Sequence, residues 1–115
     1  MIAVILASLV AILHAYFLYL EMFKWEAPRT RAAFGTTADF AIASKTLAAN
    51  QGLYNGFLAA GIALALYSGN REALIFCLAC VIVAGIYGAA TVGRRILVIQ
   101  AVPATLALIA VLAKV

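Results

Sequence analysis

Charge is what this chain has least of. Eight Lys or Arg and four Asp or Glu make up 10% of its 115 residues, against 68% hydrophobic residues. A soluble domain of this size has too much surface for its volume to hide such a composition. The mean hydropathy of +1.14 points to lipid as the solvent, and the length allows one domain. Histidine occurs once, at His14, and cysteine twice, at Cys77 and Cys80. One imidazole and a distant Cys-x-x-Cys do not make a metal site. A disulfide between residues three apart on a helix is geometrically poor, so the thiols read as small packing residues. There is no nucleophile–base set and no phosphate-binding glycine loop after a strand. No catalytic residue, metal or cofactor is therefore expected, and an enzyme is the less favoured class. Nor is the net charge of +4 a nucleic-acid signal. The basic residues are not pooled; they end apolar runs, where the positive-inside rule places them.

What is present is four apolar runs, at about 1–23, 46–67, 73–92 and 96–113. Each is near the 20 residues that a spanning helix needs. They predict an all-α integral membrane protein, an antiparallel bundle of four transmembrane helices in one domain, 1–115. No Lys or Arg precedes Lys24, which argues against a cleaved signal peptide. Trp25 suits an interface, and Pro28 is expected to stop the first helix. Residues 24–45 form the long polar loop, with Ala32-Ala33-Phe34 able to lie on headgroups as a short turn before Gly35. Thr36-Thr37-Ala38-Asp39 has capping-box spacing, so the second helix is expected to begin near Thr37. Ser68-Gly69-Asn70 reads as a tight turn. Pro103 is expected to kink the fourth span by freeing the Ile99 carbonyl. Lys24, Arg29, Arg31, Lys45, Arg94 and Arg95 fall on one side, and Arg71 and Lys114 on the other. The first side is expected to be cytoplasmic, with both termini outside, in a multi-pass protein of the bacterial inner membrane.

Counting ~1.5 Å per residue from the cytoplasmic boundary puts Glu21 and Thr91 at ~3 Å, Asn50 and Gln100 at ~6 Å, Tyr87 at ~9 Å, and His14 and Asn55 at ~14 Å. The polar residues then share one half of the membrane, as a cup open to the cytoplasm and closed by an apolar plug. His14 and Glu21 share a helix face two turns apart. Ionisable groups in a span are functional candidates, although His14 could simply bond a neighbouring helix and Glu21 could pair with Lys24 or Lys45. Gly52 and Gly56 begin a small-residue stripe that allows close helix approach. Gly85 and Gly88 do the same in the third span. Gln51 and Asn55 border the first stripe, whereas Asn50 and Tyr54 face the other way. Amides on two sides imply a helix surrounded by protein. They either hold the bundle together or, with His14, Glu21, Tyr87 and Gln100, bind a ligand or carry protons.

The runs Leu20-Glu21-Met22-Phe23, Leu47 to Gly61 around Asn50-Gln51-Gly52-Leu53-Tyr54-Asn55-Gly56, and Val83 to Thr91, together with His14, Trp25, Gln100 and Pro103, resemble the small bacterial and fungal membrane proteins grouped as domain of unknown function 1304. That resemblance implies four membrane helices and no known reaction. The residues themselves favour a protein that binds or transports a small polar molecule or a lipid headgroup. The alternatives are a structural or regulatory bundle on a larger membrane partner, a proton-coupled exporter, and a lipid enzyme using His14 and Glu21. The expected partners are membrane lipids, a small-molecule ligand, and a second copy or another membrane protein, with no nucleic acid.

Overall fold

The computed structural model describes all residues, Met1–Val115, and contains helices and turns but no strand. In chain order the elements are α1 (Ile2–Phe23), α2 (Pro28–Phe34), α3 (Ala38–Ser68), α4 (Arg71–Thr91), α5 (Arg94–Ile96), a π-helical turn (Leu97–Ala101) and α6 (Val102–Leu112). Three stretches are long and apolar enough to cross a membrane: Ile2–Phe23, Arg71–Thr91 and the continuous arm Arg94–Leu112. By composition α3 is not among them, because Asn50, Gln51 and Asn55 interrupt its apolar run. At 31 residues it is nevertheless the longest helix, ~46 Å at the α-helical rise.

The chain divides into two compact units, 1–12 with 58–115, and 13–57. The first unit holds the main apolar core. Ala7 and Val10 of α1, Ile62 and Ala65 of α3, Leu74, Leu78 and Val81 of α4, and Ala104, Ala107 and Val111 of α6 form one buried cluster. Buried positions recur every three or four residues on each helix, as one-sided packing requires. The core is rich in alanine, which brings helix backbones close together. Cys77 and Cys80 are free thiols, and Cys77 Sγ packs where Gly61 leaves room, 3.0 Å from the position a Cβ would take. The turn before α4 needs Gly69 at φ 66°. Asn70 then caps α4 by accepting the Ala73 N–H at 3.0 Å. At the far end of the core, the Ile2 N–H donates to the Val115 carbonyl at 2.9 Å, so the two chain ends meet.

Pro103 is accompanied by a π turn in the helix ladder. It lies in the first turn of α6, and the preceding residues adopt a π turn in which the Val102 N–H reaches back to the Leu97 carbonyl. A proline has no N–H for the carbonyl four residues earlier, and its ring crowds that carbonyl. Widening the helix by one residue relieves the clash. Gly85 makes room for the widened turn: a Cβ there would stand 2.9 Å from both Cβ and N of Ala101.

The second unit contains the polar segment 24–45, which is more helical than a loop. Pro28 does not stop α1, which already ends at Phe23; it opens α2, where a missing N–H costs nothing. Gly35, at φ 69°, ends α2, and the Thr36 N–H returns to the Arg31 carbonyl at 2.9 Å. The Trp25 indole N–H donates to Ser44 Oγ at 3.0 Å, and its ring meets Phe34 edge-on at 5.0 Å. The cap of α3 departs from the expected box. Thr37, not Thr36, accepts the Phe40 N–H, at 3.1 Å, and Thr36 Oγ1 is buried without a partner. Thr37→Ala should therefore lower stability by about 1 kcal/mol, while Thr36→Val should be neutral or stabilising. Thermal unfolding of both variants in one detergent decides this; equal losses would contradict it.

Candidate functional site

Helix α1 buries one stripe, Ala7, Val10, His14 and Glu21. Its spacing of three, four and seven residues keeps it on one helix face. The first two members are apolar and the last two are ionisable. His14 is 1% exposed and Glu21 6%. On α3 the buried stripe is Ala41, Ala48, Gly52, Asn55, Ile62 and Ala65. Asn55, 8% exposed, therefore lies in the middle of the packed face rather than at its border.

These two stripes meet at Glu21. The Asn55 side-chain amide donates to Glu21 Oε1. Gly52 makes this contact possible. A Cβ on Gly52 would come 2.8 Å from Met22 Cγ, 3.1 Å from Glu21 Cβ and 3.2 Å from the Leu18 carbonyl oxygen. A Cβ on Gly56 would run into Leu18 Cδ1. With no side chain at either position, α3 lies against α1 closely enough for a short asparagine to reach a buried carboxyl group. The expected level of Asn55 is thereby corrected. It is beside Glu21, not His14, which is two turns further along α1, ~10 Å by the helical rise. A span counted inward from Thr46 ignores the glycine contacts, which set α3 further toward the polar segment.

Nor does Glu21 bond Lys24 or Lys45. Lys45 Nζ is instead 3.8 Å from Glu26 Oε1, with both side chains largely in solvent, an arrangement worth little. His14 packs edge-on against Phe17, with centroids 5.5 Å apart. A cleft of about 110 Å³ opens at the end of α1, lined by Met22, Trp25, Glu26 and Lys45 among others, one residue beyond Glu21.

Within the second unit, the other polar candidates of α3 stand apart from this pair. Asn50, Gln51 and Tyr54 are exposed on α3, so amides on two sides do not mean that this helix is enclosed. Tyr87 is 70% exposed, and its backbone carbonyl accepts from Thr91 Oγ1 at 2.8 Å. Gln100 is half-buried inside the π turn. Gly85 and Gly88 meet the arm opposite them, at Ala101 and Ile96 respectively. No group of three or more His, Cys, Asp and Glu comes together as a metal site. The buried Thr36 hydroxyl escaped the sequence reading, and its only signal there was the doubled threonine before α3.

Fold and site thus define a small all-helical protein, three stretches of which are long enough to cross a membrane, with a buried carboxyl–amide pair between two helices. The chain belongs to the family described as protein of unknown function (DUF1304), which matches residues 8–112. It is 34% identical over 110 residues to the uncharacterized protein YpaA of Lactococcus lactis subsp. lactis (strain IL1403), covering 92% of each chain. No solved structure matches it.

Proposed function

We propose that this chain crosses the membrane four times as an antiparallel bundle and binds, or carries, a small polar molecule at the Glu21–Asn55 pair, reached from the cytoplasm. Parity supports the fourth crossing. Three stretches have membrane-spanning length and composition, and the chain ends bond each other. Ends on the same side require an even number of crossings, which leaves α3 as the fourth. Its ~46 Å exceeds the ~30 Å hydrocarbon core, so its first turns project beyond the lipid. The contacts of Gly52 and Asn55 with Glu21 set α3 so that Asn50 and Gln51 lie nearer the polar segment than Glu21 does, in the wet interface, where exposed amides need no protein partner.

The observation that carries the binding reading is a buried carboxyl group met by a neutral amide rather than by a cation. A structural carboxyl group in a span is normally paired with a basic residue or with backbone. Here one amide N–H is engaged, and the strongest remaining capacity is acceptor in kind: the second carboxylate oxygen and the Asn55 carbonyl oxygen. A ligand bearing N–H donors, an ammonium or guanidinium group, fits that inventory. His14, on the same face, is the further group for proton exchange if transport is proton-coupled. The scaffold reading loses its main support, because Gly52, Gly56 and Gly85 are all occupied within the chain.

The test uses purified protein and two simple cations, methylammonium and tetramethylammonium. Methylammonium should raise the unfolding temperature, by an amount corresponding to about 2.7 kcal/mol at a hundred times its Kd. Tetramethylammonium, which has no N–H, should not, and Glu21→Gln should abolish the response. Equal responses to both cations, or an unchanged response in Glu21→Gln, would sink the reading. A pH-independent affinity in both wild type and His14→Gln would remove the proton role.

A further inference from the structure

A second feature lies away from the Glu21 pair. Beside the π turn is an open groove of about 250 Å³, lined by Ile82 and Ile86 of α4 and by Leu97, Ala101, Thr105 and Leu106 of the opposite arm. Its floor is low because Ala101 is small and Gly85 lets the two helices approach closely there. The only hydroxyl on its wall is internally engaged, since Thr105 Oγ1 donates to the Ala101 carbonyl at 2.6 Å. The groove therefore presents hydrocarbon alone. From Leu97 to Leu106 it runs ~14 Å by the helical rise, the length of part of an acyl chain. At its head are two exposed arginines, Arg94 and Arg95, with Arg94 one turn before Leu97.

We infer that the groove beside the π turn holds one acyl chain of an anionic phospholipid, whose headgroup is held by Arg94 and Arg95. Charge and apolar surface are laid out in the order of such a molecule: cations at the helix end, then a hydrocarbon channel directed into the span. Basic residues at a membrane surface attract anionic headgroups, and a preformed furrow favours one chain over the surrounding mobile lipid. The π turn is what shapes the furrow. A regular helix would move the residues after Ala101 round the axis and away from Ile82 and Ile86. The inference rests on the membrane reading and is independent of any ligand at Glu21.

Co-purification from micelles containing equal phosphatidylglycerol and phosphatidylcholine, with matched chains, tests it. The wild type should retain phosphatidylglycerol in at least tenfold preference, at about one per chain. Each arginine removed should lower that preference about fivefold, so Arg94→Gln/Arg95→Gln should nearly abolish it. Ile86→Trp, which fills the groove, should release the lipid while both arginines remain. Glu21→Gln should retain it in full. Equal retention of the two lipids by the wild type overturns the site, as does an unchanged preference in the double arginine variant. So does efficient disulfide formation between two copies carrying Ile86→Cys, which would show a second protein chain in the groove.

Discussion

Gly85→Ala will unfold at markedly lower temperature than the wild type, losing about 1–3 kcal/mol, the usual cost of forcing extra volume into a packed contact. The added methyl group would stand 2.9 Å from the backbone nitrogen and 2.9 Å from the Cβ of Ala101, and 3.2 Å from its Cα. None of these atoms can rotate away. The arm must shift bodily, and with it the π turn that accommodates Pro103. Gly56→Ala should behave differently. The obstacle there is Leu18 Cδ1, the far end of a flexible side chain, and the Leu18 Cγ behind it is already 3.7 Å away. A changed leucine rotamer, offset by the better helix propensity of alanine, up to ~1 kcal/mol, should leave Gly56→Ala near neutral. Gly93→Ala meets no atom within 4 Å, and its extended backbone (φ 170°) suits any residue, so it serves as the control. Thermal unfolding of the three variants ranks them. A Gly85→Ala protein as stable as Gly93→Ala would show that α4 and the arm do not meet as described.

The same contrast separates what the sequence makes legible from what it does not. Apolar length and turn chemistry are local, and they identify Gly35, Gly69 and Asn70 as the ends of helices. Small residues at a spacing of four mark Gly52 and Gly56 as places of close approach. Neither signal says which residues they approach. A depth counted along one helix from a boundary at Thr46 puts Asn55 level with His14. The true level is set by Gly52 and Gly56 against Leu18, Glu21 and Met22, contacts between helices that no single-helix count contains. Similarly, Pro103 announces a disturbed ladder. That the ladder widens into a π turn is not written in the proline itself; the turn also needs room from the neighbouring helix, which Gly85 leaves. Pro28 is ambiguous in sequence for a related reason: the same fixed φ that can stop a helix also starts one. Of the seven polar candidates, Asn50, Gln51 and Tyr87 are exposed, Gln100 is half-buried, and only Glu21 and Asn55 are joined by a hydrogen bond.

Asn55→Leu should cost more than Glu21→Gln, and the double variant Glu21→Leu/Asn55→Leu should recover much of the loss. Leucine at position 55 leaves a buried carboxyl group facing hydrocarbon, a desolvation cost of about 1–3 kcal/mol. Hydrogen bonds between membrane helices average only ~0.6 kcal/mol, with a maximum near 1.7. Glutamine at position 21 keeps an acceptor for the Asn55 amide and should lose under about 1 kcal/mol. Removing both polar partners leaves no orphan, and two leucines next to Gly52 supply apolar contact instead. The coupling between the sites should then be about 1–2 kcal/mol. The cycle also separates structure from function. If the pair serves only to hold α1 against α3, the recovered double variant behaves as the wild type in every assay. If it is a binding site, the double variant folds well and remains unresponsive to methylammonium. A double variant no more stable than Asn55→Leu would mean that the two side chains are not coupled, and the site would lose its geometric basis.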